Sequence, residues 1–255
     1  MRQEIYEKII SKREFSQLPK KDVEIAFSHF ERRQAGDEEK IRLTRDLLRK
    51  VFSAFTSGKL LNLKDRSSEW ILKKHISTKE RFSCYKEIYR RILKISKREK
   101  ITIIDLGAGV NGFSYDYFPK KTKYTAIESI GQLVDLMNYY FKKNRIKQAK
   151  AIQLSLFELK KVKKILEDIK GIKIVFLFKV LDSLEMMQRD YSKKFLSEII
   201  PLINEVVVSF ATESLIKRKK FRVNRKWITD FIEDNFRITD EFEMCGERFI
   251  VFSKR

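Results

Sequence analysis

The sequence predicts an α/β protein in two parts: an all-helical region over residues 1–98, then, over 99–255, a doubly wound, mostly parallel sheet ending in an antiparallel hairpin. Three observations predict it. Apolar residues recur at helical spacing as far as residue 92. After residue 100, short apolar runs alternate with helical stretches, the pattern of a parallel sheet with crossover helices. The chain then finishes as strand, tight turn and strand.

In the first part the helical faces are Ile5, Ile9 and Ile10; Val23, Ile25, Phe27 and Phe30; and Ile41, Leu43, Leu47, Leu48, Val51 and Phe52. Breaks are predicted near Pro19, at Ala35-Gly36-Asp37 and at Thr56-Ser57-Gly58. A further helix is expected to begin in His75-Ile-Ser-Thr-Lys-Glu-Arg81, with Ser77 as cap and Glu80 as its capping-box partner. Its apolar face continues through Tyr85, Ile88, Tyr89 and Ile92.

The second part opens with Ile101 to Leu106, a mostly apolar run with an acid near its end, as expected of a buried parallel strand. Tyr124 to Glu128, Ala151 to Leu154, Lys173 to Phe178 and Val206 to Phe210 follow as strands. Helices are expected at about 130–143, 157–169 and 188–200. Phe236 to Phe242, the turn Met244-Cys-Gly-Glu247 and Arg248 to Ser253 make the closing hairpin.

Charge narrows the function classes. There are 56 Lys and Arg against 35 Asp and Glu, a formal net charge of +21, and such a field attracts polyanions. Nucleic acid is favoured over a membrane surface, because no basic amphipathic helix stands beside a lipidation motif. Cys84 and Cys245 are too few for a disulfide framework, and no Cys or His spacing suits zinc, so no metal is expected. His29 and His75 stand alone and read as structural. With no signal-peptide core and no run of about 18 apolar residues, a cytoplasmic monomer is expected.

The chemistry concentrates in Asp105-Leu-Gly107-Ala108-Gly109-Val-Asn-Gly112, directly after the first strand. Its glycines permit positive φ and close approach of another molecule. The glycine spacing alone fits dinucleotide binding equally well. Asp105, two positions before the first glycine, discriminates: a nicotinamide site prefers an apolar residue there. With the closing hairpin, it resembles the class I S-adenosylmethionine methyltransferase fold, whose sheet is Rossmann-like and whose acid lies near the methionine part of the cofactor. Glu128, at the end of the second strand, can accept hydrogen bonds from both ribose hydroxyls, although a strand-end Glu alone is as readily a solvated charge. Ser155 and Leu156 follow the third strand, where this fold cradles adenine, usually with an acid or amide at the amino edge. Ser155 is a weaker substitute, so Leu156 is expected to act through backbone and packing. Lys179 arrives at the carboxyl edge from the fourth strand and is either a site residue or a snorkelling surface lysine.

Five segments, in order, resemble one family, the 16S rRNA guanine-N7 methyltransferases that confer aminoglycoside resistance. His75 to Arg81 is similar to its H-x-S-T-x-E-R motif, and Asp105 to Asn111 to D-x-x-C-G-x-N-P. Leu177 to Glu185 is similar to L-K-x-x-x-x-L-E, Val208 to Leu215 to V-S-F-P-T-x-S-L, and Gly246 to Val251 to the G-N-E-L-x-Y-V ending. The resemblance spans roughly 75–255 and implies that Arg81 binds the cofactor's carboxylate, which suits a guanidinium fork. The chain departs from the pattern at Ala108, Gly112, Ala211, Glu213 and Ile216 to Arg218, and the last of these lie in a target-binding loop of the family.

Lys217, Arg218, Lys219, Lys220, Arg222, Arg225 and Lys226 put seven cations in ten residues, with Phe221 among them and Trp227 next. Cations neutralise phosphates and aromatics stack on exposed bases, so this run and the basic helical region are candidate RNA contacts; a solvated face is the plainer reading. The resemblance implies methyl transfer to a guanine N7 of 16S rRNA, in the 30S subunit. That nitrogen carries a lone pair and no proton, so positioning suffices without a general base. The alternatives are another RNA base (adenine N1 or a tRNA base) and a non-catalytic RNA-binding or assembly factor.

Overall fold

The computed structural model describes residues 1–53, 66–93, 101–212 and 225–255. Seven strands form one sheet: β1 (Ile101–Leu106), β2 (Lys123–Glu128), β3 (Ala149–Gln153), β4 (Ile172–Phe178), β5 (Glu205–Ala211), β6 (Arg237–Met244) and β7 (Glu247–Ser253), in the order β3-β2-β1-β4-β5-β7-β6. Strands β1 to β5 pair in parallel, and β7 runs antiparallel to both β5 and β6. The order reverses at β1, which opens a crevice at the carboxyl ends of β1 and β4.

Alternation along each strand divides the core in two. Ile103, Tyr124, Ala126, Ile174, Phe176, Val207 and Phe249 face one way and join one apolar cluster with the Gly131–Lys143 helix and the helices before β1. Ile104, Leu106, Ile127, Val175, Leu177, Val208 and Ile250 face the other way, against the helices Leu159–Asp168, Tyr191–Ile199 and Lys226–Asn235. Asp105 therefore lies on the side of the N-terminal helices.

Before β1 the helices are Gln3–Ile10, Lys20–Ser28, Asp37–Leu48, Ser68–Lys74, Ile76–Arg81 and Tyr85–Ile92, so the breaks at Pro19 and Gly36 fall where the sequence puts them. The Thr56-Ser57-Gly58 break lies outside the described residues. The expected capping box is absent: His75 is the cap of the Ile76–Arg81 helix, the Ser77 hydroxyl accepts from Arg81, and Glu80 pairs with Lys179. Both side chains are drawn into the site by buried cations, which outcompete a helix terminus. Two helices stand where none was expected, Leu181–Met187 and Lys226–Asn235, and Ser68–Lys74 is a helix of the helical region that the sequence did not single out. Among the described residues no helix is long and apolar enough to cross a membrane, and no group of three or more His, Cys, Asp or Glu is arranged to hold a metal ion.

Cys84 and Cys245 are joined in a disulfide, their Cα atoms 6.5 Å apart. The bond ties the turn between β6 and β7 to the segment that follows Arg81, a cross-link that two cysteines so distant in sequence did not suggest.

Candidate cofactor site

A partly open cavity runs along the carboxyl edge of the sheet, where open α/β sheets bind their ligands. Arg81, Asp105, Gly107, Ala108, Gly109, Glu128, Leu156 and Lys179 all line it. These side chains come from four different loops and from the helix before β1, and the sheet brings them to one place. Ser155 does not line the cavity; its hydroxyl is turned away to bond Asp22, because the backbone amide of Phe157 and that carboxyl offer it a complete set of partners.

The glycine turn sits at the centre. Gly107 has φ +71° and Gly109 φ +56°, conformations that favour glycine. A Cβ on Gly107 would meet a Val180 methyl at 2.7 Å, so the turn is pressed against the loop after β4. Glu128 latches the turn from the side: one oxygen accepts the Gly109 amide at 2.7 Å and the other the Ile130 amide at 2.9 Å. Burial pushes the Glu128 carboxyl above the usual range, with those amides acting in the opposite direction. Each oxygen keeps a further lone pair for a ribose hydroxyl.

Asp105 is buried and accepts Asn111 Nδ2 and the Tyr124 hydroxyl on the same oxygen, each at 2.7 Å. Burial raises its pKa, against the pull of those two donors and the Arg81 charge. Through these two donors it ties the turn residue Asn111 to β2.

Arg81 lies 2% exposed, Nε 3.0 Å from Glu247 Oε1 and Nη2 2.8 Å from the Ser77 hydroxyl, with its guanidinium over the Phe178 ring. Burial works against its charge, and Glu247, Tyr85, Tyr89 and Asp105 together more than offset it, so its pKa is raised. Lys179 Nζ lies 3.1 Å from the same Glu247 oxygen and also pairs with Glu80. Its backbone adopts φ +61°, unusual for a residue with a Cβ, while its amide donates to Ser209 O at 3.0 Å. Lys179 is thus a buried site residue rather than a snorkelling surface lysine.

Three participants had no assigned role in the sequence. Glu247, at the start of β7, holds both cations and accepts the Ser209 hydroxyl at 2.8 Å. His75 lines the cavity against Gly109, and burial, then the Arg81 and Lys179 charges, lower its pKa to about 3. Asp22 comes from the Lys20–Ser28 helix, and burial raises its pKa to about 7. The sequence put Glu247 in the turn before the last strand, and nothing in it marked Asp22.

Of the basic run, Lys217, Arg218, Lys219, Lys220 and Arg222 lie outside the described residues. Arg225 is not an exposed RNA contact. Its guanidinium clasps Asp182 at 2.8 and 2.9 Å, donates to Ala211 O at 3.0 Å and stacks over Phe210, so it seals the end of β5. A charge run misled because this cation has an acid within reach. Lys226 is exposed at the start of its helix.

The strand order, the terminal antiparallel hairpin and the glycine turn after β1 define the class I, Rossmann-like methyltransferase fold. Solved structures share this fold. The chain is similar to the 16S rRNA methyltransferase RmtF in complex with S-adenosyl-L-homocysteine, at TM-score 0.79 and 18% identity over 99% of this chain and 98% of that one. It is similar to an rRNA methylase from Escherichia coli at TM-score 0.77 and 17% identity, over 99% of each chain. The 16S rRNA methylase ArmA matches at TM-score 0.59 and 24% identity over 77% of this chain and 97% of that one. No protein-family profile matches the chain, and no curated protein matches it in sequence.

S-adenosylmethionine fits the residues present. The cavity offers an acceptor carboxylate for ribose in Glu128, a guanidinium for a carboxylate in Arg81, a side-chain-free cradle at Gly107, and a buried carboxyl oxygen without a hydrogen-bond partner in Asp22.

Proposed function

We propose that the chain is an S-adenosylmethionine-dependent methyltransferase of small-subunit ribosomal RNA, with a guanine N7 as acceptor. One observation carries the reading: a single cavity at the sheet's switch point gathers Arg81, Asp105, the glycine turn and Glu128. The likeness to three rRNA methylases supports the choice of RNA, as does the net charge of +21.

When bound, the cofactor supplies an electrophilic methyl group on a sulfonium. The protein's part is to bind and align. Arg81, held by Glu247, orients the donor's carboxylate, Glu128 takes the ribose, and Leu156 packs against the base. Lys179 and Asp105 set the charge around the methionine end. An N7 acceptor needs no proton removed, so the work left to the site is presentation of an unpaired or flipped base. Residues 1–98 and the cations of the 217–226 run other than Arg225 grip the RNA, with Lys226 at the edge of that run; an intact 30S particle is the substrate and the enzyme is a monomer.

The test is labelled-methyl transfer from S-adenosylmethionine to intact 30S particles, naked 16S rRNA and tRNA, followed by nucleoside mass spectrometry. N7-methylguanosine in 16S rRNA is expected. Label in tRNA alone, or at adenine N1, assigns a different RNA target. No label and no donor binding leaves a non-catalytic RNA-binding protein.

A further inference from the structure

We propose that Asp22, from the helical region before the sheet, is the residue that reads the amino edge of the donor's adenine. The inference rests on the methyl-donor reading above and names one of its contacts. Asp22 is 1% exposed, lines the same cavity as the loops after β2 and β3, and is locked in place: its Oδ1 accepts the Ser155 hydroxyl at 2.6 Å, and Ser155 accepts the Phe157 amide at 3.1 Å. Its Oδ2 is equally buried and makes no hydrogen bond of proper geometry, although the Ser129 hydroxyl lies close enough to favour the ionised carboxyl.

A buried carboxyl oxygen without a donor is costly, and native structures rarely leave one. A ligand's N–H supplies what the protein does not. The loop after β3, where this fold places an acid or amide for the adenine amine, has neither facing the cavity: Ser155 is turned away, Leu156 and Phe157 are apolar, and Glu158 pairs with Lys161 and lies outside the lining. Asp22 stands where that acid is missing and is fastened to the residue that replaced it. A 6-aminopurine fits this surface. Its N6–H donates to Oδ2, and its faces meet Leu156, Phe157 and Ile130. A 6-oxopurine sets a lone pair against the carboxyl oxygen and is refused.

Calorimetry on the full chain at about pH 8.5, where Asp22 with its pKa of about 7 is ionised, tests this with S-adenosylhomocysteine and its 6-oxo counterpart, S-inosylhomocysteine. The wild type is expected to bind the adenine form at least about 10-fold tighter. Asp22→Ala should weaken S-adenosylhomocysteine by about 10- to 100-fold and bring the two ligands close to equal affinity. Asp22→Asn keeps the shape and the Ser155 bond, and its amide can turn an N–H to the cavity, so it should gain affinity for the 6-oxo form. If Asp22→Ala does not fold, as judged by its melting curve, the wild type and Asp22→Asn still decide. A wild type that binds both ligands equally, or an Asp22→Ala with unchanged affinity and preference, overturns the proposal while the methyl-donor reading stands. A wild type that binds neither ligand takes down both.

Discussion

Glu247 and Arg81 meet in the interior, 3.0 Å apart, one from the first residue of the last strand and the other from the helix before the sheet. The same carboxylate oxygen is 3.1 Å from Lys179, so one buried acid sets the position of both cations. The terminal hairpin is therefore part of the site as well as the edge of the sheet.

Removing that acid should be severe. Glu247→Gln leaves two buried cations without the acid they share, and breaking a buried pair typically costs about 3–5 kcal/mol. A thermal melt should show a loss of roughly 6–20 °C. A variant that melts with the wild type contradicts the role given to this residue.

The glycine turn makes a sharper prediction. Gly107→Ala puts a methyl 2.7 Å from a Val180 methyl at φ +71°, so stability should fall by about 1–3 kcal/mol and donor affinity with it. Calorimetry with S-adenosylhomocysteine checks the second part. Unchanged affinity in a folded Gly107→Ala protein places the ligand elsewhere.

Acid and base titrations oppose each other in the cavity. The folded pKa of Asp22, about 7, lies above its ordinary 3.8, so its contribution is greatest at low pH and is lost as pH rises through 7. The folded pKa of His75, about 3, lies below its ordinary 6.5, so its contribution is full above 6.5 and is lost as pH falls through 3. Each effect is on the order of 4 kcal/mol, and between about pH 4 and 6.5 the two largely cancel. Relative to the wild type, Asp22→Asn should gain stability as pH rises through that window, and His75→Gln should lose it. Melting curves from pH 4 to 8 read this directly. Parallel profiles for wild type and Asp22→Asn rule it out.

The Cys84–Cys245 cross-link closes a loop of 161 residues, and such a bond contributes about 3–5 kcal/mol in the chain-entropy view. Reduction, or the Cys84→Ser and Cys245→Ser pair, should lower the melting temperature by roughly 6–20 °C. Two freely titrating thiols in the unreduced native protein disprove the bond.

Much of this was legible in the sequence. The run Ile101 to Leu106 marked β1 to the residue, because a strand buried on both faces is a continuous apolar run. Strand β3 was placed two residues late, since Lys150 and Gln153 are exposed on an edge strand that buries little. The Lys226–Asn235 helix was hidden by the basic run at its start, though Ile228 and Ile232 carry its buried face. Glu128 and Lys179 drew notice because each stands at the carboxyl end of an expected strand, and Arg81 only through the resemblance of His75 to Arg81 to a family motif. Asp22 did not, because nothing local to a lone acid in a helix tells which loop lies across from it. Arg225 misled for the same reason: its partner Asp182 is brought near only by the fold.

The most direct test of the whole account is a crystal structure of the intact chain with S-adenosylhomocysteine. The carboxylate should lie on the Arg81 guanidinium, the ribose hydroxyls on Glu128 and the base against Leu156. A ligand found away from the ends of β1, β2 and β4, or a chain that takes up none at saturating concentration, contradicts it.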